Sequence, residues 1–183
     1  MFDADTFVAE CIAANAEAQP RLAIKDVLER AVSRSGEVAA ALPPDRAGIT
    51  RLHVSPELTV LKVVWAPGMT LWPHDHRMWA TIGIYSGGED NAFYRRAGTG
   101  LEQSGGRELR PADTILLGDD TIHGVTNPTT QFAGAIHIYG GDFFAQPRSE
   151  WDPETLVERP YNVDATLRYF EEQNEVYARD ASG

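Results

Sequence analysis

Apolar positions change texture once along this chain. Up to about residue 42 they recur three or four apart. Phe7, Cys11, Ala14 and Ala18 make one such stripe, which predicts a helix over 5–18 with Asp5 placed to cap it. Pro20 breaks that helix and can open a second. There Ala23, Val27 and Ala31, flanked by Leu28 and Val32, leave Lys25, Asp26, Glu29 and Arg30 outside. Ser35-Gly36 ends it, a short helical piece runs to Leu42, and Pro43-Pro44 closes the helical section. From about residue 47 the segments are short and rich in β-branched and aromatic residues, separated by Gly, Pro, Asn and Asp. Strands are predicted near 48–54, 58–65, 78–86, 91–96, 107–110, 113–117, 122–126 and 132–139, with a turn over Gly98 to Gly106. Such spacing predicts a sandwich or barrel. After Pro147 the chain turns polar and irregular. A last helix is predicted from Val163 to Tyr177, capped by Asn162. The organisation is therefore a mainly β single domain over 1–183, with N-terminal helices in 1–45, a barrel in 46–147 and a helical C-terminal extension in 148–183.

Composition narrows the partners more than the fold. Of 183 residues, 43% are hydrophobic and 23% charged, which is ordinary for a globular chain able to bury a core. A formal net charge of -11 argues against nucleic acid and against an anionic membrane surface. No apolar run is long enough to cross a bilayer, and Asp3 and Asp5 stand where a secretory signal would be basic and then apolar. The single Cys11 cannot form an internal disulfide, which fits a cytoplasmic protein. The expected partner is a small molecule, and the expected state a monomer or homodimer.

Histidines carry the candidate chemistry. His74 and His76 are one residue apart, so in extended backbone they share a side while Asp75 points away. Two imidazoles on one side make a claw for Zn, Cu, Fe or Ni. Alone, the pair reads equally well as two solvent-facing histidines near a turn. His123 follows the Gly118-Asp119-Asp120 turn and by itself reads as a hydrogen-bonded strand histidine. A barrel can bring distant strands together, and three histidines with open positions would make a catalytic rather than a closed structural site. His137 and Tyr139 alternate with Ile136 and Ile138, so the imidazole and the phenol share a face and can form a relay or a polar pair satisfied in the core.

These residues resemble a known pattern. Gly68, His74-Asp75-His76 and Gly87 resemble the first motif of the cupin superfamily, and Gly118, His123 and Asn127 its second. The Glu usual in the first motif is missing, since Arg77 to Thr81 occupy its place. That absence, with Val64 to Gly68, Trp79 to Gly83 and Ile136 to Tyr139, resembles the cysteine dioxygenase and 3-mercaptopropionate dioxygenase group. The resemblance spans about residues 7 to 145. It implies a double-stranded β-helix in which His74, His76 and His123 bind Fe(II), with O2 as cosubstrate and a small thiol oxidised to a sulfinic acid. Zn or Ni could fill the same site in purified material. It further implies that His137 and Tyr139 flank the reacting groups and that Arg51 grips a substrate carboxylate. Two departures stand out. Ala135 replaces the Ser that completes a Ser-His-Tyr relay, and Thr81 stands where animal enzymes have a crosslinked Cys.

Trp72 and Met78, next to the motif, are expected at the rim of the substrate pocket, and Asp75 is expected to stiffen the ligand turn through hydrogen bonds. Arg95-Arg96 reads as a charged guard on an edge strand. A cupin enzyme with a non-thiol substrate, either a dioxygenase or an isomerase, and a cupin that binds a small ligand or metal without turnover remain the alternatives.

Overall fold

The computed structural model describes residues 1–98 and 100–180. Among the described residues eleven strands follow three helices: β1 (Gly48–Val54), β2 (Thr59–Trp65), β3 (Thr70–Asp75), β4 (Ala80–Ser86), β5 (Glu89–Ala97), β6 (Gly100–Leu109), β7 (Thr114–Leu117), β8 (Ile122–Thr126), β9 (Ala133–Tyr139), β10 (Ser149–Trp151) and β11 (Glu158–Pro160). They form two sheets, in the orders β1-β2-β9-β4-β7 and β11-β10-β3-β8-β5-β6. The pairings within them are antiparallel. The chain crosses between the sheets after β2, β3, β4, β6, β7, β8 and β9, so β2-β9-β4-β7 and β3-β8-β5-β6 interleave. That order is a jelly roll, the double-stranded β-helix predicted from the sequence.

Strand alternation explains where the core sits. The central strand β9, Ala-Gly-Ala-Ile-His-Ile-Tyr, is buried along its whole length. Ile136 and Ile138 face outward and meet Ile24, Leu28 and Val60 under the helices α1 (Ala4–Asn15), α2 (Pro20–Val32) and α3 (Ser35–Ala41). Tyr139 faces the barrel interior with Leu61, Val63, Trp65 and Ile82. Each large apolar side chain buried this way contributes roughly 1.5–3 kcal/mol. The helical layer thus covers the first sheet and leaves the barrel interior for polar chemistry.

The last helix, α4 (Val163–Asp180), is capped as expected, with the Ala165 amide donating to Asn162 Oδ1 at 3.0 Å. It closes the barrel. Phe170 packs 5.2 Å from Trp65, and the Asn174 amide exchanges two hydrogen bonds with the backbone of Ala47, at 2.8 and 3.0 Å.

Several local expectations are corrected. The cap of α1 is Asp3, which accepts from the Thr6 amide at 2.8 Å, so the helix starts one residue before Asp5 and stops at Asn15. Residues 70–75 lie outside the predicted strands, because Pro73 and the adjacent, non-alternating Leu71 and Trp72 hide the pattern. The predicted turn over Gly98 to Gly106 is mostly strand β6. Long pairing to β5 overrides its glycines, and the actual turn closes between paired Ala97 and Gly100, with Gly98 at φ +57. Thr99 within that turn and residues 181–183 of the predicted domain lie outside the described residues. Arg95 and Arg96 sit on β5, an interior strand, and so guard no edge. They pair instead with Glu102 and Glu158, both at 2.9 Å. Among the described residues no helix is long and apolar enough to cross a membrane.

Candidate metal centre

Strand β3 carries His74 and ends just before His76, while β8 carries His123, and the ladder sets His74 directly opposite His123. The three rings face one another inside the barrel with centroids 4.7 to 5.1 Å apart. One ring nitrogen from each lies within 4.8 Å of the others. Two of the rings are oriented by their far nitrogens. His74 Nδ1 donates to the Trp72 carbonyl at 3.0 Å, and His123 Nδ1 donates to Asn91 Oδ1 at 2.6 Å. Their Nε2 lone pairs are thereby aimed at the shared space, as in many metal sites where an outer acceptor fixes the tautomer. The Nε2 atoms of His76 and His123 are 3.4 Å apart. Metal–nitrogen bonds of ~2.0–2.1 Å at tetrahedral angles separate two ligand nitrogens by about that distance. The donor set therefore fits a borderline transition-metal ion bound by three neutral imidazoles.

Burial makes those imidazoles neutral. It lowers the pKa of His74 to about 4, against the Trp72 hydrogen bond, which raises it, and with smaller lowering from Arg148 and His137. Burial first, and then the neighbouring histidines, holds His76 and His123 well below the usual range. This has a consequence for stability. Below pH 6.5 the unfolded chain takes up protons that the folded chain refuses, so stability falls with pH until the folded pKa values are reached. At ~1.4 kcal/mol per pKa unit, His74 alone makes the metal-free fold about 3 kcal/mol less stable at pH 4 than at pH 7. Urea titrations of metal-free protein across that range should show the midpoint dropping from about pH 6.5 downward. A flat midpoint would mean that the histidines are not buried in this way.

Beyond the triad lies a second polar layer. His137 and Tyr139 point inward as their alternation predicts, and His137 Nδ1 lies 3.0 Å from the Tyr139 hydroxyl. The Tyr139 ring is 4.9 Å from that of His76, and burial pushes its phenol pKa up. At the other end of His137 stands Glu89, completely buried on β5 and not foreseen in the sequence. Its carboxylate accepts from His137 Nε2 at 3.1 Å, Trp65 Nε1 at 2.9 Å and Asn91 Nδ2 at 3.1 Å. Burial alone would raise the Glu89 pKa, but the adjoining His137 and these three hydrogen bonds hold it below the usual carboxylate range. A Glu-x-Asn alternation directly after the Gly87-Gly88 turn, in a strand otherwise bound for the core, was the available signal.

The triad opens on a cavity of about 20 Å³, lined among others by Tyr139, Phe143 and Tyr161. That is room for about one water molecule. Arg148 packs behind two residues that line it, with its guanidinium stacked 4.0 Å from both the Phe143 and Tyr161 rings. One terminal nitrogen, Nη1, donates to the carbonyls of Phe143 and Gln146, while Nε and Nη2 are buried with no hydrogen-bond partner. On its other side Arg148 borders a surface groove with Arg77, Ser149, Glu158 and Arg159.

The remaining sequence candidates lie elsewhere. Arg51 is exposed on β1 and stacks 3.9 Å over Phe144, outside the cavity wall. Trp72 donates to Glu150 at 3.1 Å and packs 5.2 Å from Tyr169, whereas Met78 is buried in the barrel core near Gly141. Neither lines the cavity. Asp75 does stiffen the turn, accepting from the Ser149 amide at 2.8 Å and pairing with Arg77 at 2.7 Å.

No protein-family model matches the chain. Among solved structures it is similar to BH2720 from Bacillus halodurans, at 18% identity over 62% of this chain and 76% of that one, with a TM-score of 0.48. An RmlC-like cupin with a double-stranded β-helix fold from Methanocaldococcus jannaschii overlays at 8% identity over 52% and 81%, TM-score 0.44. Peruvianin-I, described as a cysteine peptidase from Thevetia peruviana latex, overlays at 20% identity over 46% of this chain, TM-score 0.40, and the chain spans 51% of its length.

Proposed function

We propose that this protein is an iron-dependent thiol dioxygenase acting on a small thiol that also carries a carboxylate. The observation that carries this reading is the pairing of an all-neutral three-histidine site with a buried guanidinium two of whose nitrogens, Nε and Nη2, have no hydrogen-bond partner. A site of three imidazoles leaves a divalent ion's charge uncompensated, which favours an anionic sulfur ligand. Arg148 favours a second anionic group at the far end of the same molecule, gripped through two parallel hydrogen bonds. The overall change is R–SH + O2 → R–SO2H, in which both oxygen atoms end on sulfur and O2 takes the four electrons that sulfur gives up. An iron(II) ion held by His74, His76 and His123 would supply the acidity that forms the thiolate and the means of activating O2.

The chain's own residues do the rest. Tyr139 stands against His76, where its hydroxyl can hydrogen-bond to the reacting groups, and His137 fixes the hydroxyl's direction. Phe143 and Tyr161 help confine the space to about one water molecule. The cavity is small, so entry of a thiol requires the Phe143–Arg148–Tyr161 stack to part toward the surface groove. The test is anaerobic loading with Fe(II), followed by oxygen uptake with 3-mercaptopropionate, cysteine, cysteamine and a non-thiol carboxylate. Uptake with a carboxylate-bearing thiol, and sulfinate as product, is expected. An iron-loaded protein that consumes no oxygen with any thiol would overturn the reading and leave a non-thiol substrate or a binding role.

A further inference from the structure

We infer that Glu89 is the positioning residue that sets the proton arrangement of both halves of the site. The argument is one of donors and acceptors. An ionised carboxylate only accepts, and an indole N–H only donates. Glu89 Oε2 accepts from Trp65 and so requires a proton on His137 Nε2 as well. In the neutral imidazole His137 Nδ1 then carries the lone pair, and the Tyr139 hydroxyl donates to it, leaving the phenol oxygen's lone pairs toward the cavity. Glu89 Oε1, in turn, requires the amide nitrogen of Asn91 on its side. That turns Asn91 Oδ1 toward His123 and requires a proton on His123 Nδ1, which frees Nε2 for a metal. A single carboxylate therefore dictates two tautomers, one on a candidate metal ligand and one beside the phenol. It occupies the end of the His137 relay that Ala135 cannot reach with a hydroxyl.

Glutamine at this position cannot satisfy both sides. With its oxygen toward Trp65 and His137, its NH2 faces Asn91, whose amide must turn over. His123 then loses the acceptor at Nδ1 and shifts its proton to Nε2. With its NH2 toward Trp65 and His137, His137 must give up the Nε2 proton. Either way one tautomer moves.

The test rests on the thiol-dioxygenase reading only for the meaning of Tyr139, since its readouts need neither thiol nor oxygen. Nitrogen-15 NMR of the histidine side chains in the wild-type protein, metal-free and Zn(II)-loaded, should show a proton on His137 Nε2 and on His123 Nδ1. In Glu89→Gln at least one of the two should move to the other nitrogen. In Asn91→Ala, His137 should keep its Nε2 proton while Zn(II) binds about 10–100-fold more weakly, the usual cost of losing an outer partner of a ligand. A wild-type spectrum with either proton on the opposite nitrogen overturns the inference, whatever the variants do. So does a folded Glu89→Gln protein with both tautomers unchanged, or an Asn91→Ala protein that binds Zn(II) as tightly as wild type.

Discussion

A His123→Ala variant should fold and fail to hold metal. Removing one of three ligands leaves a two-nitrogen site, and the loss of affinity should exceed the ~10–100-fold that removal of a mere outer partner costs. His123 lies opposite His74 on the β3–β8 ladder, its Nε2 faces that of His76 at 3.4 Å, and with it the described residues lose the one group of three that could hold a metal. The fold itself should survive with a modest penalty. The substitution empties part of a buried site and leaves Asn91 Oδ1 without its donor, a change worth about 1–3 kcal/mol. At low pH the penalty shrinks, because one buried imidazole that resists protonation is gone. Metal content after dialysis against Fe(II) or Zn(II), read beside circular dichroism, checks this. His53→Ala, a change on β1 outside the triad, should leave both readings at wild-type values. A His123→Ala protein that retains stoichiometric metal would show that the ligand set is wrong.

The sequence made the barrel legible because its strands are short, separated by turn residues and alternate cleanly where one face meets the helices and the other the interior. Strand β9 is the clearest case, since Ile136 and Ile138 against His137 and Tyr139 already assign its two faces. Where a long partner rather than local chemistry stabilises a strand, the reading failed. The glycines of β6 look like a loop, and only pairing to β5 holds them extended. The site divided along the same line. His74 and His76 are adjacent in sequence and declare themselves, but Glu89 and Arg148 reach the site from β5 and from the segment before β10. Glu89 looks like an ordinary turn-flanking acid until Trp65, Asn91 and His137 are seen to converge on it. Arg148 lies in a polar stretch whose order comes from contacts with Phe143 and Tyr161 rather than from any periodicity.

Arg148 also separates the two candidate carboxylate ligands. Arg148→Met keeps the stem's volume between Phe143 and Tyr161 but removes the charge and the two unpartnered nitrogens, Nε and Nη2. If those groups grip the substrate carboxylate, their loss removes a charge-assisted pair worth about 3 kcal/mol, and KM for 3-mercaptopropionate or cysteine rises about 100-fold. KM for cysteamine, which has no carboxylate, should hardly change. Arg148→Lys should recover only part of the loss, because an ammonium cannot supply the planar pair of donors. Arg51→Met should leave KM alone, since Arg51 is exposed and stacks on Phe144, which does not line the cavity, whereas Arg148 stacks on Phe143 and Tyr161, which do. Stability gives an independent check on the cause. No carboxylate pairs with the buried Arg148 among the described residues, so losing its charge offsets the loss of its hydrogen bonds to the Phe143 and Gln146 carbonyls, and stability should stay within about 1–3 kcal/mol of wild type. A KM that rises for the carboxylate-bearing thiols but not for cysteamine, in a protein that stays folded, assigns Arg148 to the substrate. The reverse pattern, with KM unmoved in Arg148→Met and raised in Arg51→Met, would return the carboxylate to Arg51 and require the substrate to reach past Phe144.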